Sequence, residues 1–416
     1  MTGTYLSMRD APRVLDLFCG SGGLSLGLES SGFRVEWACE IDSDASDTYR
    51  SSHPETVLWT EDANTLLKRC ADGEKGVPRQ GQVDLLAGGP PCQGFSGYNR
   101  YRSPDDPRNS LVETYLAFVE LLRPRCVLME NVPGMLQMEQ GRTARLLLET
   151  LEGIGYVPQL GILQAGNYGL PQNRWRVFVF AVQGGNRLPE FPVPTHAFPR
   201  TTLFGATAFR EHVVRAVDDP NSLFGRLLPN TTVGDAIRDL PPIANGGGTP
   251  LIDLAGAPLS PYQEALRDGL GQVTDHLADR HGEIMMKRIE AVPKRPGAGW
   301  LDLPEELQPR NLAKHGDRRY ENRFGRLWWD GIFNTIVTLP FPYWGRFIHP
   351  EQDRVLSVRE CARAQGFPDR VSFSGKIKSK YRQVGNAVPP PLAKAIGIEI
   401  MRAMGNRVED ESSWEG

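Results

Sequence analysis

One stretch decides how this chain folds: Val83-Asp84-Leu85-Leu86-Ala87-Gly88-Gly89-Pro90-Pro91-Cys92-Gln93-Gly94-Phe95-Ser96. A short apolar run that ends abruptly in glycines and two prolines predicts a buried strand followed by a rigid loop. The prolines stiffen the loop, and the glycines allow the backbone and a ligand to approach closely. A thiol held in such a loop, here that of Cys92, is a candidate nucleophile. The alternative is an inert cysteine in an ordinary turn.

Composition limits the class of protein. The chain has 416 residues, which is long enough for one large or two modest domains. Its formal net charge is −3. It has neither an apolar segment long enough for a bilayer nor the profile of a secretory signal, so we expect a soluble intracellular protein. The cysteines lack zinc-ligand spacing, so we expect reduced thiols and no metal. They are Cys19, Cys39, Cys70, Cys92, Cys126 and Cys361.

Three further predicted strands precede the central stretch. Residues 13–18 form the first, and Cys19-Gly20-Ser21-Gly22-Gly23 forms a tight turn before a helix. The second strand, residues 33–40, ends in Glu40, which can accept the two ribose hydroxyls of an adenosine or can be an ordinary strand-end acid. The third, residues 57–62, ends in a carboxylate that could accept an adenine amino group. The turn alone does not identify the nucleoside, because a nicotinamide enzyme would be expected to have such a turn as well. The Gly-x-Gly-x-x-Gly spacing fails here, since Ser25 occupies the place of the third glycine.

The alternation of strands and helices continues beyond the central stretch. Ser110 precedes a predicted helix whose Leu111, Tyr115, Phe118 and Leu122 lie on one face. A fifth strand, predicted over residues 125–133, carries Glu130. Two apolar runs, 157–163 and 175–182, stand too close in sequence for a helical crossover and predict an antiparallel pair. Parallel strands place their carboxyl ends together, so we expect five distant residues to share one cleft. These are Gly20, Glu40, Asp62, Cys92 and Glu130.

The composition of the sequence changes between about Gly184 and Pro350, and the regular alternation of strands and helices stops. Prolines, glycines and short segments there predict a second domain of loops and short strands. Residues 326–338 are strand-like and aromatic, and we expect most of the aromatic side chains in the core. Helices are predicted again over 357–365 and 392–401. Six basic residues between Arg370 and Lys394 predict either a solvated face or contacts with phosphates.

Taken in order, these motifs resemble the motif series of the cytosine-5 DNA methyltransferases. The matching residues are Asp16-Leu17-Phe18 with Gly20, Gly22 and Gly23; Glu40; Asp62; Pro90-Pro91-Cys92-Gln93; Glu130-Asn131-Val132; Gln172-x-Arg174-x-Arg176; and Gln383-Val384-Gly385-Asn386. The resemblance covers Pro12 to Met401. Residues 163–169, 354–368 and 383–397 are most similar to the catalytic domain of the animal maintenance enzyme, which acts on CpG sites.

The resemblance implies a fold and a division of the chain. The implied fold is α/β, of the Rossmann-like AdoMet-dependent methyltransferase type: a mixed, mostly parallel sheet with helices on both faces, plus a smaller irregular target-recognition domain. The first part of the catalytic domain is expected over 12–183 and the target-recognition domain over 184–353. Residues 354–405 are expected to return to the catalytic domain, and 406–416 to form a disordered tail.

The resemblance also implies a covalent mechanism. Cys92 would add to carbon 6 of a cytosine, so that carbon 5 can attack the methyl group of S-adenosyl-L-methionine (AdoMet) and leave S-adenosyl-L-homocysteine. Glu130 would hydrogen-bond N3 of the base, and Arg176 would bind its carbonyl and lie near the thiolate. Arg174 would position the loop or a phosphate. The base has to be flipped out of the duplex to reach these groups.

The same resemblance assigns positions to AdoMet. Five of them line the methionine and adenosine moieties: Phe18, Gly20, Gly22, Gly23 and Leu24. Glu40 and Ile41 would contact the ribose and adenine, and Asp62 and Ala63 the adenine edge. The remaining wall would be formed by Pro90, Asn386 and Val388, so we expect the C-terminal helix to pack against the first strands and helices of the chain.

Duplex DNA is the implied partner, and we expect a monomer that acts in the nucleus of a eukaryote or otherwise in the cytoplasm. A CpG or related context is expected, although Thr338 to Pro350 is shorter than the maintenance enzyme's reading loop and lacks its Gly-Lys-Gln segment; that domain's zinc-binding cysteines are missing too. Two alternatives stay open. A transfer RNA substrate would be marked by a Cys-Phe-Thr tripeptide, which this chain lacks. A catalytically silent AdoMet-binding scaffold would lack Cys92, Glu130 or Arg176, which are all present.

Overall fold

The computed structural model describes residues 11–91, 110–199, 207–216, 226–313 and 320–406, and its contacts divide the chain into two compact units. The first unit holds the described residues up to 168, those of 175–228 and those from 388 onward; the second holds 169–174 and those of 229–387. This division differs from the predicted boundaries at 184 and 354. One reason is that Val213 bridges Ile162 within the first unit. Among the described residues, no helix has the length and apolar character needed to span a membrane.

The first unit is built on a sheet whose seven described strands lie in the order β3-β2-β1-β4-β5-β7-β6. They are β1 (Arg13–Leu17), β2 (Arg34–Cys39), β3 (Val57–Trp59), β4 (Leu85–Gly88), β5 (Cys126–Asn131), β6 (Tyr156–Gln164) and β7 (Trp175–Gln183). Strands β1 to β5 pair in parallel, whereas β7 runs antiparallel to both β5 and β6. The mostly parallel mixed sheet and its antiparallel edge pair confirm the predicted fold class.

Helices cover both faces of this sheet. In chain order, the described helices of both units are α1 (Gly23–Glu29), α2 (Ser43–Ser52), α3 (Ala63–Ala71), α4 (Ser110–Leu122), α5 (Arg142–Gly153), α6 (Val233–Ile237), α7 (Pro261–Arg267), α8 (Glu283–Ala291), α9 (Arg310–Ala313), α10 (Val358–Ala364), α11 (Ile377–Asn386) and α12 (Pro390–Ala403). Side chains alternate between the faces along a strand. Trp37 and Cys39 therefore join Leu66 of α3 in one core, while Ala38 between them packs with Tyr49 of α2.

The second unit is irregular, as predicted. Its described strands are β8 (Gly248–Asp253), β9 (Gln272–Leu277), β10 (Gly325–Arg326) and β11 (Arg346–Ile348), which pair as two short sheets. The prediction of a strand over 326–338 was wrong, because a turn closed by a hydrogen bond from Gly331 N to the carbonyl of Trp328 interrupts it. The aromatic side chains there are also less buried than expected: Phe333 is fully buried, but Trp328 and Trp329 are only half-buried.

Within the first unit, α12 packs directly on α1, which confirms the predicted return of the C-terminal helix. The contact is made at Gly27. A Cβ added there would lie 2.5 Å from the carbonyl oxygen of Pro390 and 2.6 Å from the backbone nitrogen of Lys394, and it would overlap Cβ of Ala393. Distances below about 3 Å between such atoms are repulsive, so the two helices can approach this closely only over a glycine.

A buried carboxyl group on β1 takes part in hydrogen bonds that link this strand to helices α1 and α2. Asp16 is fully buried, and its Oδ2 accepts a hydrogen bond of 2.7 Å from the hydroxyl of Ser25 on α1. The Ser25 hydroxyl shares a 2.8 Å hydrogen bond with that of Tyr49 on α2. Burial raises the pKa of Asp16 to about 7, and the hydrogen bond from Ser25 only partly opposes this. The network links the central strand to the two helices beside it.

Replacing Gly27 by alanine should destabilise the first unit. The added methyl group has to push α12 away from α1, and overpacking of this kind costs about 1–3 kcal/mol of unfolding free energy. Gly153 at the end of α5 is the matched control, because a Cβ there meets nothing within 4 Å. Urea unfolding should show Gly27→Ala less stable than wild type, with Gly153→Ala within about 1 kcal/mol of it. Equal stability of the two variants would refute the close-packing interpretation.

The Asp16 network should make stability depend on pH. The carboxyl pKa rises from 3.8 in the unfolded chain to about 7 in the folded one. The folded state therefore keeps a proton that the unfolded state loses, and this stabilisation is present below about pH 4 and is lost as the pH rises towards 7. Asp16→Asn removes the titration. The unfolding free energy of wild type minus that of Asp16→Asn should fall by about 4 kcal/mol over that interval and then stay level. If the difference in unfolding free energy between wild type and Asp16→Asn did not change with pH, the raised pKa of Asp16 would be contradicted.

Candidate active site

The carboxyl ends of β1, β2, β4 and β5 meet at one edge of the first unit's sheet. The strand order reverses between β1 and β4, and ligands bind at such switch points in open α/β sheets. The turn after β1 has unusual backbone geometry, with φ of +59° at Phe18, +55° at Gly20 and +87° at Gly22. A Cβ at Gly20 would meet nothing within 4 Å, whereas one at Gly22 would overlap the ring of His53. Gly20 therefore borders open space, while Gly22 packs inward.

Glu40, at the end of β2, is attached to this turn. Its Oε2 accepts a 2.9 Å hydrogen bond from the backbone N–H of Gly20, and its Oε1 accepts another of 2.9 Å from Asp42. Burial raises the pKa of Glu40, and these backbone hydrogen bonds oppose the rise. Each carboxylate oxygen can accept a second hydrogen bond, so both remain able to bind hydroxyl groups. The next side chain, Ile41, is apolar and yet 66% exposed.

Asp62 lies at the same edge but not at a strand end, which corrects the prediction. Strand β3 ends at Trp59, whose carbonyl accepts a hydrogen bond from the backbone of Glu40. Asp62 instead caps α3: its Oδ1 accepts hydrogen bonds of 2.7 Å and 3.0 Å from the backbone and side-chain nitrogens of Asn64. An aspartate at this position favours the cap, because its carboxylate satisfies an otherwise unpaired N–H of the first turn. Ala63 is buried behind it.

Glu130 and Arg176 form a buried ion pair on the neighbouring strands β5 and β7. Arg176 Nε lies 2.8 Å from Glu130 Oε1, and each residue is 8% exposed. Arg176 also donates a 2.7 Å hydrogen bond to the carbonyl of Trp175. Burial lowers the pKa of Arg176, and Glu130 opposes this effect. A charge so deeply buried requires its partner, so the pair holds both side chains at the edge where β5 ends.

The end of β4 lies beside this pair. A Cβ on Gly89 would lie 3.1 Å from Glu130 Oε2, and Asn131 Nδ2 donates a 3.4 Å hydrogen bond to the carbonyl of Pro90. The chain continues from Pro91 to Cys92, which lies outside the described residues. Asn131 was missed as a site residue in the sequence analysis, although its position next to Glu130 was a signal. The hydrogen bond of Asn131 connects Pro90, after the end of β4, to the end of β5.

The other cysteines are poor nucleophiles. All five described thiols are free and buried: Cys19, Cys39, Cys70, Cys126 and Cys361. Burial raises the pKa of Cys39 and Cys126 to about 12 and that of Cys70 to about 11, and it raises the pKa of Cys19 and Cys361 well above the ordinary thiol value. Thiols of this kind stay protonated and unreactive. Within the described ranges, no group of His, Cys, Asp and Glu side chains is arranged to hold a metal ion.

Arg174 occupies a different place from the one predicted. It belongs to the second unit, and its fully buried guanidinium donates hydrogen bonds to the carbonyls of Ile336 (3.1 Å), Gly385 (3.0 Å) and Ala387 (2.8 Å). With no exposed surface it cannot contact a phosphate in this structure, so that part of the prediction was wrong. The hydrogen-bond partners of Arg174 are backbone groups more than 160 residues away in sequence, so no local pattern predicts these contacts.

The remaining predicted cofactor residues fall in both units. In the first unit, Gly23 and Leu24 open α1 and are buried, and Val388 is 7% exposed. Asn386 belongs to the second unit, where it is the last residue of α11 and is exposed. The structure thus brings the β1 turn, Glu40 and Ile41 together at one end of the edge, and Pro90, Glu130 and Arg176 together at the other.

Comparisons with known proteins show which sequences this chain resembles. The chain is 38% identical over 435 residues to "DNA (cytosine-5)-methyltransferase 1A" of Oryza sativa, which covers 94% of this chain and 28% of the relative. It is 37% identical to "DNA (cytosine-5)-methyltransferase 1" of Gallus gallus, with 96% of this chain and 30% of the relative covered. The chain therefore spans less than a third of the length of these curated relatives.

Solved structures support the fold. The structure of a protein described as a DNA modification methyltransferase encoded within an E. coli prophage matches with a TM-score of 0.67 and 24% identity, over 95% of this chain and 100% of that one. At this level of identity, the likeness concerns the fold alone. The description "C-5 cytosine-specific DNA methylase" matches residues 12–402, nearly the full length of the chain. This chain belongs to the family of C-5 cytosine-specific DNA methylases.

Proposed function

We propose that this chain transfers a methyl group from AdoMet to carbon 5 of a flipped-out cytosine in duplex DNA, through a covalent adduct with Cys92. The observation that carries the proposal is the buried Glu130–Arg176 pair beside Gly89, at the end of the strand that leads to Cys92. A guanidinium and a carboxyl group that takes up a proton, held together at one sheet edge, can donate hydrogen bonds to the carbonyl and to N3 of one pyrimidine ring.

Cys92 begins the reaction in this proposal. Its thiolate electron pair forms a bond to carbon 6 of the cytosine, and the ring becomes an enamine at carbon 5. The electron pair that this addition places on N3 is taken up by a proton from Glu130, which has to be protonated at this step, while Arg176 donates to the ring carbonyl. After methylation, loss of the carbon 5 proton to water and cleavage of the bond to sulfur return the thiolate and release 5-methylcytosine.

The residues of the β1 turn fit AdoMet. AdoMet supplies an electrophilic methyl group on a positively charged sulfur. Gly20 borders open space where a ligand can approach the backbone, and the two oxygens of Glu40 can accept the ribose hydroxyls. The exposed Ile41 would cover the adenine, and Asp62 would meet its edge. Phe18, Gly22, Gly23, Leu24, Ala63, Pro90, Asn386 and Val388 complete the proposed set.

We assign Arg174 a positioning role in place of a catalytic one. Its three hydrogen bonds join residues near 336 to those near 386 within the second unit. Gln172 acts in the same way, since its amide nitrogen donates to the carbonyl of Ala364 and its oxygen accepts from the backbone of Ile336. This unit also contains most of the segment, 184–353, that we propose reads the sequence around the cytosine.

The identity of the substrate is tested by methyl transfer from labelled AdoMet. We expect transfer to unmodified or hemimethylated duplex DNA and none to transfer RNA, in keeping with the relatives named above. Bisulfite sequencing of the product then reports whether CpG is the context. Transfer to RNA alone, or to neither polymer, would overturn the proposal. The monomeric state stays a prediction.

Replacing Cys92 by serine should abolish methyl transfer, because a hydroxyl is far less nucleophilic than a thiolate. DNA containing 5-fluorocytosine should trap the wild-type protein as a covalent complex, since fluorine cannot leave as the carbon 5 proton does. Cys92→Ser should form no such complex. Cys70→Ser on α3 is the matched control and should trap normally. Covalent capture of Cys92→Ser by the fluorinated DNA would refute the assignment.

Replacing Glu130 by glutamine should lower the rate of methyl transfer about 100-fold or more, because an amide can hydrogen-bond N3 but cannot give it a proton. AdoMet affinity, measured by calorimetry, should stay near that of wild type. The exposed Glu152 on α5 supplies the control, and Glu152→Gln should leave the rate unchanged. A folded Glu130→Gln variant with the wild-type rate would exclude this role.

A further inference from the structure

A histidine of the first unit lies behind the β1 turn (residues 18–22). The side chain of His53, the residue that follows α2, is fully buried and occupies the place that a side chain at Gly22 would take. A Cβ on Gly22 would overlap Nε2 of the ring and lie 2.8 Å from its Cδ2. Gly22 adopts its φ of +87° against this ring, whereas Gly20, two residues earlier, borders open space. The turn thus has one glycine on the histidine and another facing the space where we propose that AdoMet binds.

Helices α1 and α2 both hold the His53 ring in place. Its Nδ1 shares a 2.9 Å hydrogen bond with Oε2 of Glu29, the last residue of α1, and the carboxylate accepts this bond. The ring also packs on that of Tyr49 in α2, with centroids 4.3 Å apart. The hydroxyl of Tyr49 shares a hydrogen bond with that of Ser25 on α1. The orientation of the ring against Gly22 is therefore fixed by a hydrogen bond and by a neighbouring ring that is itself anchored.

Filling of the core does not by itself account for a histidine at this position. Nε2 of His53 is buried and has no hydrogen-bond partner among the residues that the structure describes. A buried nitrogen without a partner costs free energy, and an apolar ring of similar size would avoid that cost. An apolar ring could not, however, make the hydrogen bond to Glu29 that sets the plane of the ring. The flat ring and its one bound nitrogen are what is needed to support the backbone of the turn.

We infer that His53 is a positioning residue for AdoMet, which acts through Gly22 by holding the β1 turn in the shape that binds the cofactor. The inference rests on the proposed function, which puts AdoMet at this turn. A turn that already has its bound shape gives tighter binding, because binding does not also have to order it. Loss of His53 should therefore raise the Kd and the KM for AdoMet and leave kcat at saturating AdoMet unchanged.

The test measures AdoMet affinity by calorimetry, and methyl transfer to duplex DNA over a range of AdoMet concentrations, with variants of the full chain. His53→Ala removes the ring, and we expect a Kd and a KM for AdoMet about tenfold higher than those of wild type, with kcat within about twofold. His53→Phe restores the ring without the hydrogen bond, and its affinity should lie within about threefold of wild type. Glu29→Gln should bind AdoMet as wild type does, because the amide oxygen can accept the same hydrogen bond.

Two control variants separate positioning of the turn from other effects. His212→Ala removes a histidine of the same unit that also lies next to a carboxylate and an aromatic ring, those of Glu211 and Phe209. Leu151→Ala truncates a side chain of the core that is 1% exposed and lies on α5, so it lowers stability. Both controls should bind AdoMet as wild type does. A loss of affinity in His53→Ala is then not a general result of losing a histidine or of losing stability.

Three results would overturn the inference. These are an AdoMet affinity of His53→Ala within about twofold of wild type, a fall in kcat with an unchanged KM for AdoMet, and a phenylalanine variant that binds no better than the alanine variant. His53→Leu, which keeps apolar bulk without a flat ring, repeats the test if His53→Ala does not fold. The wild-type protein separates this inference from the proposed function. If wild type binds AdoMet and methylates DNA while His53→Ala binds AdoMet equally well, only the inference fails; if wild type does not bind AdoMet, the proposed function fails.

Discussion

The ion pair between Glu130 and Arg176 is the interaction on which the candidate site depends. Both groups are almost fully buried, and a lone charge at that depth would be costly, so each side chain fixes the other. The pair exists because β7 runs antiparallel next to β5 and delivers its first residues to the edge where β5 ends. A parallel β7 would have carried Arg176 to the opposite edge. Strand β7, the one reversed strand among those that the structure describes, thus brings together the two groups that can face a pyrimidine.

Much of the first unit could be predicted from its sequence because the signals are local. Apolar runs that end in Gly20, Glu40 or Gly88 mark strands of a parallel sheet, and the topology of such sheets collects their ends. The short gap between β6 and β7 was enough to predict their antiparallel pairing. Asp62 shows the limit of this reasoning, because an acidic residue after an apolar run can either end a strand or cap the next helix. In this structure Asp62 caps α3.

Non-local contacts could not be predicted. Arg174 and Arg176 stand two residues apart, and both were expected to be catalytic. The structure buries Arg174 among backbone carbonyls of the second unit, whose positions depend on folding far along the chain. Arg323 is a similar case: its guanidinium carbon lies 4.2 Å from the ring centre of Tyr320 and 4.5 Å from that of Tyr343, and the two rings meet around it only after the turn at Pro342 forms. Carbonyl partners and ring clusters leave no periodic trace in the sequence, whereas strand ends do.

The contact between α1 and α12 bears on how the protein is made. Helix α1 follows the first strand, yet the surface that covers Gly27 is supplied by Pro390 and Ala393. During synthesis the ribosome adds roughly 360 residues between the two, which takes on the order of half a minute. Over that time the emerging chain carries α1 without the helix that covers Gly27 in the folded protein. Helix α1 is thus made well before the helix that covers its Gly27 surface, and a chaperone that shields α1 has that interval in which to act.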